Sequence, residues 1–209
     1  MATIRRLTDS CLLLTTDAGT TLVDPGFHTF DSGEVDLDSI GDVQRVLITH
    51  EHGDHVKPEF VRWLLDRGDD VAVHCNRAVA DLLDHDGVPA LTTDPEGVTS
   101  EDVLHEVVPT GAAPPNRSYT IEQILTHPGD SYQPTITAPV LALPLIAPWG
   151  STTQSVEFAR RLAPRYVVPI HDFYTSRSGR QWLASLAGTV LAGDGIEVVP
   201  LDWGESFTV

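Results

Sequence analysis

Basic residues are scarce in this sequence of 209 residues. Lysine and arginine together number 13 against 30 aspartates and glutamates, which gives a formal net charge of −17. Proteins that bind nucleic acids or anionic membranes need basic patches to neutralise phosphate groups. The charge balance therefore disfavours nucleic acid and membrane as partners and favours a small-molecule substrate. It leaves homo-oligomerisation open.

Cysteines and long apolar runs are scarce as well. Cys11 and Cys75 are too few for a disulfide framework and form no CxxC pair, so we expect two buried thiols. The longest apolar run near the start, residues 11–14, is much shorter than a signal-peptide core. No stretch approaches the roughly 20 apolar residues of a membrane span. We therefore expect a cytoplasmic protein.

Internal repeats and low-complexity tracts are absent, and at roughly 100–200 residues per domain the length favours a single domain over residues 1–209. Apolar periodicity predicts nine strands, at residues 4–7, 11–16, 20–23, 46–48, 71–74, 119–125, 140–145, 166–170 and 196–199. Helices are predicted from residue 58, over 77–83, from 151 or 152 to 164, and around 182–190. Strands that precede helices, after an antiparallel start, predict an α/β sandwich with mixed sheets.

Side chains that bind metals are concentrated in Thr49-His50-Glu51-His52-Gly53-Asp54-His55, directly after the predicted strand 46–48. His50 and His52 alternate as i and i+2, so an extended backbone directs both the same way, whereas Asp54 and His55 can turn to a second position. This spacing suits two metals side by side. Imidazole and carboxylate ligands favour zinc, with iron or manganese as alternatives. The competing interpretation is a solvated acidic loop with incidental histidines.

HisXHisXAspHis is the signature of the metallo-β-lactamase superfamily, which this chain resembles from end to end. The resemblance implies a four-layer αββα sandwich of two mixed β-sheets and a pair of divalent metal ions. It identifies Asp24 in Val23-Asp24-Pro25-Gly26 as support for the metal ligands. It also identifies Asp130 in His127-Pro128-Gly129-Asp130 as the carboxylate that bridges the metals, and His171 as the last histidine ligand. A turn aspartate or a loop histidine is the alternative at each position.

The family pattern requires one more histidine, between Asp54 and Asp130, to complete the three imidazoles of the first metal. His105 precedes an asparagine and a tyrosine, Asn116 and Tyr119, at a spacing similar to that of the relatives. It lacks their glycine-rich approach, so an exposed strand histidine is the alternative. His127 is the substitute candidate, although its place three residues before Asp130 looks more like support for the ligands.

Two short motifs, His-Pro-Gly-Asp and Ala-Pro-Trp, make the chain look most like the small bacterial hydrolases of the ascorbate-phosphate-lactonase branch. Trp149 of the second motif is expected either to line the pocket or to cover the hydrophobic core. His28 is expected to be a loop histidine, His74 to end a strand and His85 to lie at a solvated helix end.

The resemblance implies hydrolysis by a hydroxide shared between two metals, with Asp54 as the residue that accepts and donates the proton. The substrate class is a small ester, lactone or phosphodiester. One alternative is a mononuclear or non-catalytic metal-binding domain on the same fold. Another is a phosphodiesterase or nuclease, which the charge disfavours. Arg160, Arg161 and Arg165 are expected to form a solvated helix face or, alternatively, to recruit a phosphate group.

Overall fold

The computed structural model describes residues 1–68, 70–108, 111 and 113–209. Its strands are β1 Thr3–Arg6, β2 Leu12–Thr16, β3 Gly19–Val23, β4 Arg45–Ile48, β5 Ala72–Cys75, β6 Val98–Leu104, β7 Pro115–Ile121, β8 Leu125–His127, β9 Val140–Pro144, β10 Tyr166–Ile170, β11 Glu197–Val198 and β12 Ser206–Thr208. Its α-helices are α1 Phe27–Asp31, α2 Pro58–Leu65, α3 Arg77–His85, α4 Thr152–Leu162 and α5 Arg177–Leu191, and 3₁₀ turns cover Leu37–Ile40 and Ala192–Asp194.

The chain divides into two compact units. The first unit comprises Met1–Glu96 and Asp202–Val209, and the second comprises Gly97–Leu201. Each unit contains one six-stranded mixed sheet with helices packed on it. The prediction of an α/β chain with two mixed sheets is confirmed. The prediction of a single domain over residues 1–209 stays a prediction.

The sheet of the first unit has the strand order β12-β1-β2-β3-β4-β5. β12, β1, β2 and β3 pair antiparallel, whereas β3, β4 and β5 pair parallel. A glycine, Gly19, allows the tight turn between β2 and β3 because its φ of 120° is strained for other residues. Phe60, Val61 and Leu64 of α2 and Val79 of α3 pack on the sheet as a buried core. α2 is thus the crossover between the parallel strands β4 and β5, and α3 follows the edge strand β5.

The sheet of the second unit has the order β11-β10-β9-β8-β7-β6. β6, β7 and β8 are antiparallel, and β8 to β11 are parallel. Ser151 caps α4 by accepting a hydrogen bond from the Gln154 amide, and the helix ends at Leu162, with Ala163 as its C-cap before Pro164. Val156 and Ala159 of α4 pack in the core of this unit together with apolar residues of α5.

Some elements differ from the predicted ones. The predicted strand 119–125 is two antiparallel strands, β7 and β8, because Glu122 and Gln123 adopt φ values of 50° and 54° and turn the chain. Neither residue type signals a turn as glycine or asparagine does. The prediction also missed α1, β6 and β12. β6 is a polar edge strand with alternating exposure, and β12 pairs with β1 at the other sheet's edge.

The two cysteines are buried free thiols, as predicted. Burial raises the pKa of the Cys11 thiol. Among the described residues, each helix falls short of the length and apolar character needed to cross a bilayer.

Candidate metal centre

The first group of ligand-type side chains lies at the carboxyl edge of the parallel strands β3, β4 and β5. Asp24 follows β3, Thr49 and His50 follow β4, and Asn76 follows β5. The carboxyl ends of neighbouring parallel strands meet at one edge, which is where α/β sheets bind ligands. We call His50, His52, Asp54 and His55 the first ligand group.

Asp24 organises this group although it is completely buried. Its Oδ1 accepts a hydrogen bond from the Thr49 amide at 2.8 Å, and its Oδ2 accepts from the Thr49 hydroxyl at 2.9 Å. The same Oδ2 lies 2.7 Å from Nδ1 of His55. A buried carboxylate can only accept, so Nδ1 of His55 carries the proton and Nε2 is left with its lone pair. Carboxylates orient metal-binding histidines in this way.

The Thr49 hydroxyl fixes the tautomer of His50 in a similar way. It donates to Asp24, so it accepts from Nδ1 of His50, which lies 3.1 Å away. The lone pair of His50 is then on Nε2, which lies 3.1 Å from Nδ1 of His52. Tetrahedral zinc with bonds of 2.0–2.1 Å separates its ligand nitrogens by about 3.3–3.4 Å. The spacing of these two nitrogens fits a shared divalent cation.

Asp54 and His55 form the other half of the first ligand group. Oδ2 of Asp54 lies 3.8 Å from Nε2 of His55, and the Asp54 side chain is 24% exposed, whereas that of His55 is fully buried. A glycine, Gly26, lets the loop after β3 lie directly against this backbone. A Cβ at Gly26 would be 1.7 Å from the Asp54 carbonyl oxygen. The Phe27 amide also donates to the Gly53 carbonyl at 2.9 Å, which ties the two loops together.

The second ligand group consists of His105, Asp130 and His171, which come from three separate loops of the second unit. Oδ2 of Asp130 lies 3.2 Å from Nε2 of His105 and 3.0 Å from Nε2 of His171. The indole N–H of Trp149 donates to the same oxygen at 2.8 Å. All three members of the group are buried. One carboxylate oxygen thus lies between two imidazole nitrogens, as a bridging ligand does.

The other ring nitrogens of the two histidines contact backbone carbonyls. Nδ1 of His105 contacts the Glu106 carbonyl, and Nδ1 of His171 lies 3.4 Å from the Ile146 carbonyl. A carbonyl only accepts, so both Nδ1 atoms carry protons, and in the neutral rings both Nε2 atoms direct lone pairs at the Asp130 carboxylate. Lone pairs and a carboxylate oxygen at these distances repel unless a proton or a cation lies between them. The donor chemistry therefore fits a divalent metal.

The loop that carries Asp130 is held by a buried asparagine. Nδ2 of Asn116 donates to the Pro128 carbonyl at 2.9 Å, and its Oδ1 accepts from the Asp130 amide at 3.2 Å. His127 is fully buried at the end of β8, where its Nδ1 accepts from the Gly129 amide at 3.2 Å. His127 thus helps to fold the turn before Asp130.

Several expectations change in the structure. His105 is 2% exposed, so the alternative of an exposed strand histidine is wrong, and the ring lies just beyond the end of β6. His28 lies in α1 rather than in a loop, and its Nδ1 is 2.7 Å from Oδ2 of the buried Asp9. His74 lies inside β5, and His85 ends α3 as expected.

Sequence reasoning missed three polar residues that hold the ligands: Thr49, Asn76 and Asn116. Asn76 donates to the Thr49 carbonyl at 3.0 Å and accepts from the Val79 amide, so it both caps α3 and anchors the first ligand group. Asn76 lies at the start of a helix and gave no separate signal, and Asn116 served only as a spacing marker for His105. The role of Trp149, at the pocket or over the core, was left undecided by the sequence.

Comparison with known protein families shows to which family the chain belongs. The family model of the β-lactamase superfamily domain matches residues 3–171. The chain belongs to the metallo-β-lactamase superfamily. Within this superfamily it is similar to the protein Rv0786c of Mycobacterium tuberculosis, at 29% identity over 186 residues that cover 82% of this chain and 84% of that protein.

Solved structures show the same metallo-β-lactamase fold. A protein from Parabacteroides distasonis, provisionally named a metal-dependent hydrolase, has a TM-score of 0.72 at 22% identity and covers 95% of this chain and 91% of its own. Igni18, a metallo hydrolase from Ignicoccus hospitalis, has a TM-score of 0.72 at 17% identity and covers 100% and 99%. The superfamily fold is therefore present in nearly the whole chain.

Proposed function

We propose that this chain is a metal-dependent hydrolase that holds two divalent cations, most readily Zn²⁺, with Mn²⁺ or Fe²⁺ as alternatives. The single observation that carries the proposal is the convergence of two histidine Nε2 atoms on Oδ2 of Asp130, at 3.2 and 3.0 Å. Following the family pattern, the proposed ligands are His50, His52 and His105 for the first metal, Asp54, His55 and His171 for the second, and Asp130 for both.

Two divalent cations would lower the pKa of a water molecule and polarise the carbonyl or phosphoryl oxygen of the substrate. The chain's own residues would orient this chemistry. Asp24 holds His55 in one tautomer, and Thr49 does the same for His50. Asp54 is partly exposed beside the fully buried His55, so its carboxylate can exchange protons with substrate. We propose Asp54 as the catalytic proton acceptor and donor.

The substrate in this proposal is a small ester, lactone or phosphodiester. Proteins with similar structures hydrolyse different bonds: one is named an isothiocyanate hydrolase from Delia radicum gut bacteria and another a diphosphatase of the PhnP family. The net charge of −17 opposes a polyanionic substrate, and two divalent cations would offset only a small part of it. A small molecule is therefore the better candidate.

The arginines in the last turn of α4 and just after it give a nuclease little support. Arg160 pairs with Asp194 at 2.7 Å, and Arg161 donates to the Pro134 carbonyl at 2.9 Å. The guanidinium of Arg165 lies over the Tyr166 ring at 4.8 Å. Since these groups are engaged within the second unit, recruiting a phosphate would require breaking existing contacts. Phosphodiesterase or nuclease activity remains the weaker alternative.

Hydrolysis assays on variants test the proposal. Zinc-loaded protein is assayed on a panel of small esters, lactones and phosphodiesters, together with His50→Ala and Asp130→Ala. The control is His85→Ala, an exposed histidine at the end of α3. We expect at least one substrate to be hydrolysed and the rate to fall by at least 100-fold in both ligand variants, but not in the control. Hydrolysis that survives in both ligand variants, or none in any protein, would overturn the proposal.

A further inference from the structure

Trp149 has a contact that the family pattern of ligands does not explain. Its indole N–H donates to Oδ2 of Asp130 at 2.8 Å, the same oxygen that the two histidines of the second ligand group face. The indole ring meets His105 and His171 edge to face, with ring centroids 5.9 and 5.5 Å apart. Trp149 therefore touches all three members of the group.

The ring of Trp149 is held from behind by a second aromatic side chain. Tyr132 packs against it with ring centroids 5.2 Å apart, and Phe158 of α4 packs on Tyr132 at 5.5 Å. The Tyr132 hydroxyl is anchored 2.8 Å from the hydroxyl of Ser155. A glycine follows Trp149 because a Cβ at Gly150 would lie 2.5 Å from the Tyr132 hydroxyl oxygen. The indole thus packs on an aromatic side chain that is itself anchored to α4 through Ser155.

An indole N–H differs chemically from the imidazoles around it. It donates one hydrogen bond, cannot accept and does not titrate, whereas an imidazole nitrogen can do either. Its single bond to Oδ2 therefore has one possible direction at any pH. A hydrogen bond from such a donor therefore holds the carboxylate in one rotamer.

We propose that Trp149 is a positioning residue for Asp130: its indole N–H selects the carboxylate rotamer in which Oδ2 faces both His105 and His171. This inference rests on the proposed function, because the rotamer matters when that oxygen binds metal. Trp149 itself touches neither metal nor substrate in this role. Loss of Trp149 weakens metal binding, because the Asp130 carboxylate must then be ordered when the metal binds, and this ordering offsets part of the binding free energy.

Zinc affinity of Trp149→Phe tests the role. Phenylalanine keeps an aromatic ring against Tyr132 but removes the N–H. Affinity is measured on chelator-stripped protein by competition with a zinc-binding dye, and the matched control is Trp182→Phe, whose ring is 62% exposed on α5. We expect a 10–100-fold loss of zinc affinity in Trp149→Phe, the usual cost of removing a group that orients a metal ligand, and less than a twofold change in the control.

A structural role alone would give a different pattern. It would lower the unfolding temperature of the metal-free Trp149→Phe protein and leave the zinc affinity of the folded fraction unchanged, which would overturn the inference. If Trp149→Phe does not fold, Gly150→Ala replaces it, because it displaces Tyr132 while keeping the indole; unchanged zinc affinity there would also overturn the inference. Absence of zinc binding in the unaltered protein would instead overturn the proposed function, and the two failures are therefore distinguishable.

Discussion

The two ligand groups are built by different means. The first lies within residues 50–55, and its rings are oriented by side chains, chiefly the buried carboxylate of Asp24. The second comes from three distant loops, and its rings are oriented by the backbone carbonyls of Glu106 and Ile146. Any residue type supplies a carbonyl, whereas only a few supply a buried carboxylate. The first group is therefore visible in the sequence from its spacing alone, whereas the members of the second were identified only through the resemblance to the family.

This contrast predicts that single side-chain changes damage the first group more than the second. Asp24→Ala removes the acceptor of the Thr49 amide, the Thr49 hydroxyl and the His55 ring. Hydrogen bonds to a charged group each contribute about 1.5–3 kcal/mol, and because three are lost we expect the free energy of unfolding to fall by at least about 3 kcal/mol. Urea denaturation in the presence of a chelator measures it without a contribution from metal. The control is Asp17→Ala, because the Asp17 side chain is 99% exposed. A loss below about 1 kcal/mol would mean that Asp24 does not organise the group.

In the second unit, the corresponding change is Asn116→Ala. It leaves the Asp130 amide and the Pro128 carbonyl without their side-chain partner, and an unsatisfied buried polar group costs about 1–3 kcal/mol. We expect a loss in this range by the same denaturation, with Gln133→Ala, an exposed amide side chain, as the control. A loss larger than that of Asp24→Ala would reverse the comparison between the two groups.

The smallest effect is expected for Tyr132→Phe, which removes the hydroxyl that contacts Ser155. One hydrogen bond contributes about 1 kcal/mol to stability at neutral pH. Burial raises the pKa of Tyr132 from 10 to about 12. The unfolded chain ionises this group at lower pH than the folded chain, so its contribution is complete below pH 10 and is lost as the pH rises towards 12. In denaturation experiments, the free energy of unfolding of the unaltered protein should exceed that of Tyr132→Phe by less at pH 11 than at pH 8. An equal difference at the two pH values would contradict the raised pKa.

Sequence patterns predicted those elements whose apolar residues repeat regularly, such as β4, α2 and β10. They missed β6 because four of its seven residues are polar and three of the seven are exposed. They merged β7 with β8 because two ordinary residues, Glu122 and Gln123, adopt left-handed conformations. At the ligand groups, the HisXHisXAspHis motif was clear from spacing. His105 was ambiguous because its neighbours carry no local signal, and the contact from Trp149 depends on tertiary packing.

The most direct test of the account is the number of zinc ions that the chelator-stripped protein binds. Calorimetric titration with zinc, checked by native mass spectrometry, counts them per chain. The account predicts about two tightly bound ions, because the proposed ligands form two imidazole-rich sets, and it predicts fewer for Asp130→Ala. One ion or none per chain, with Asp130→Ala indistinguishable from the unaltered protein, would contradict it.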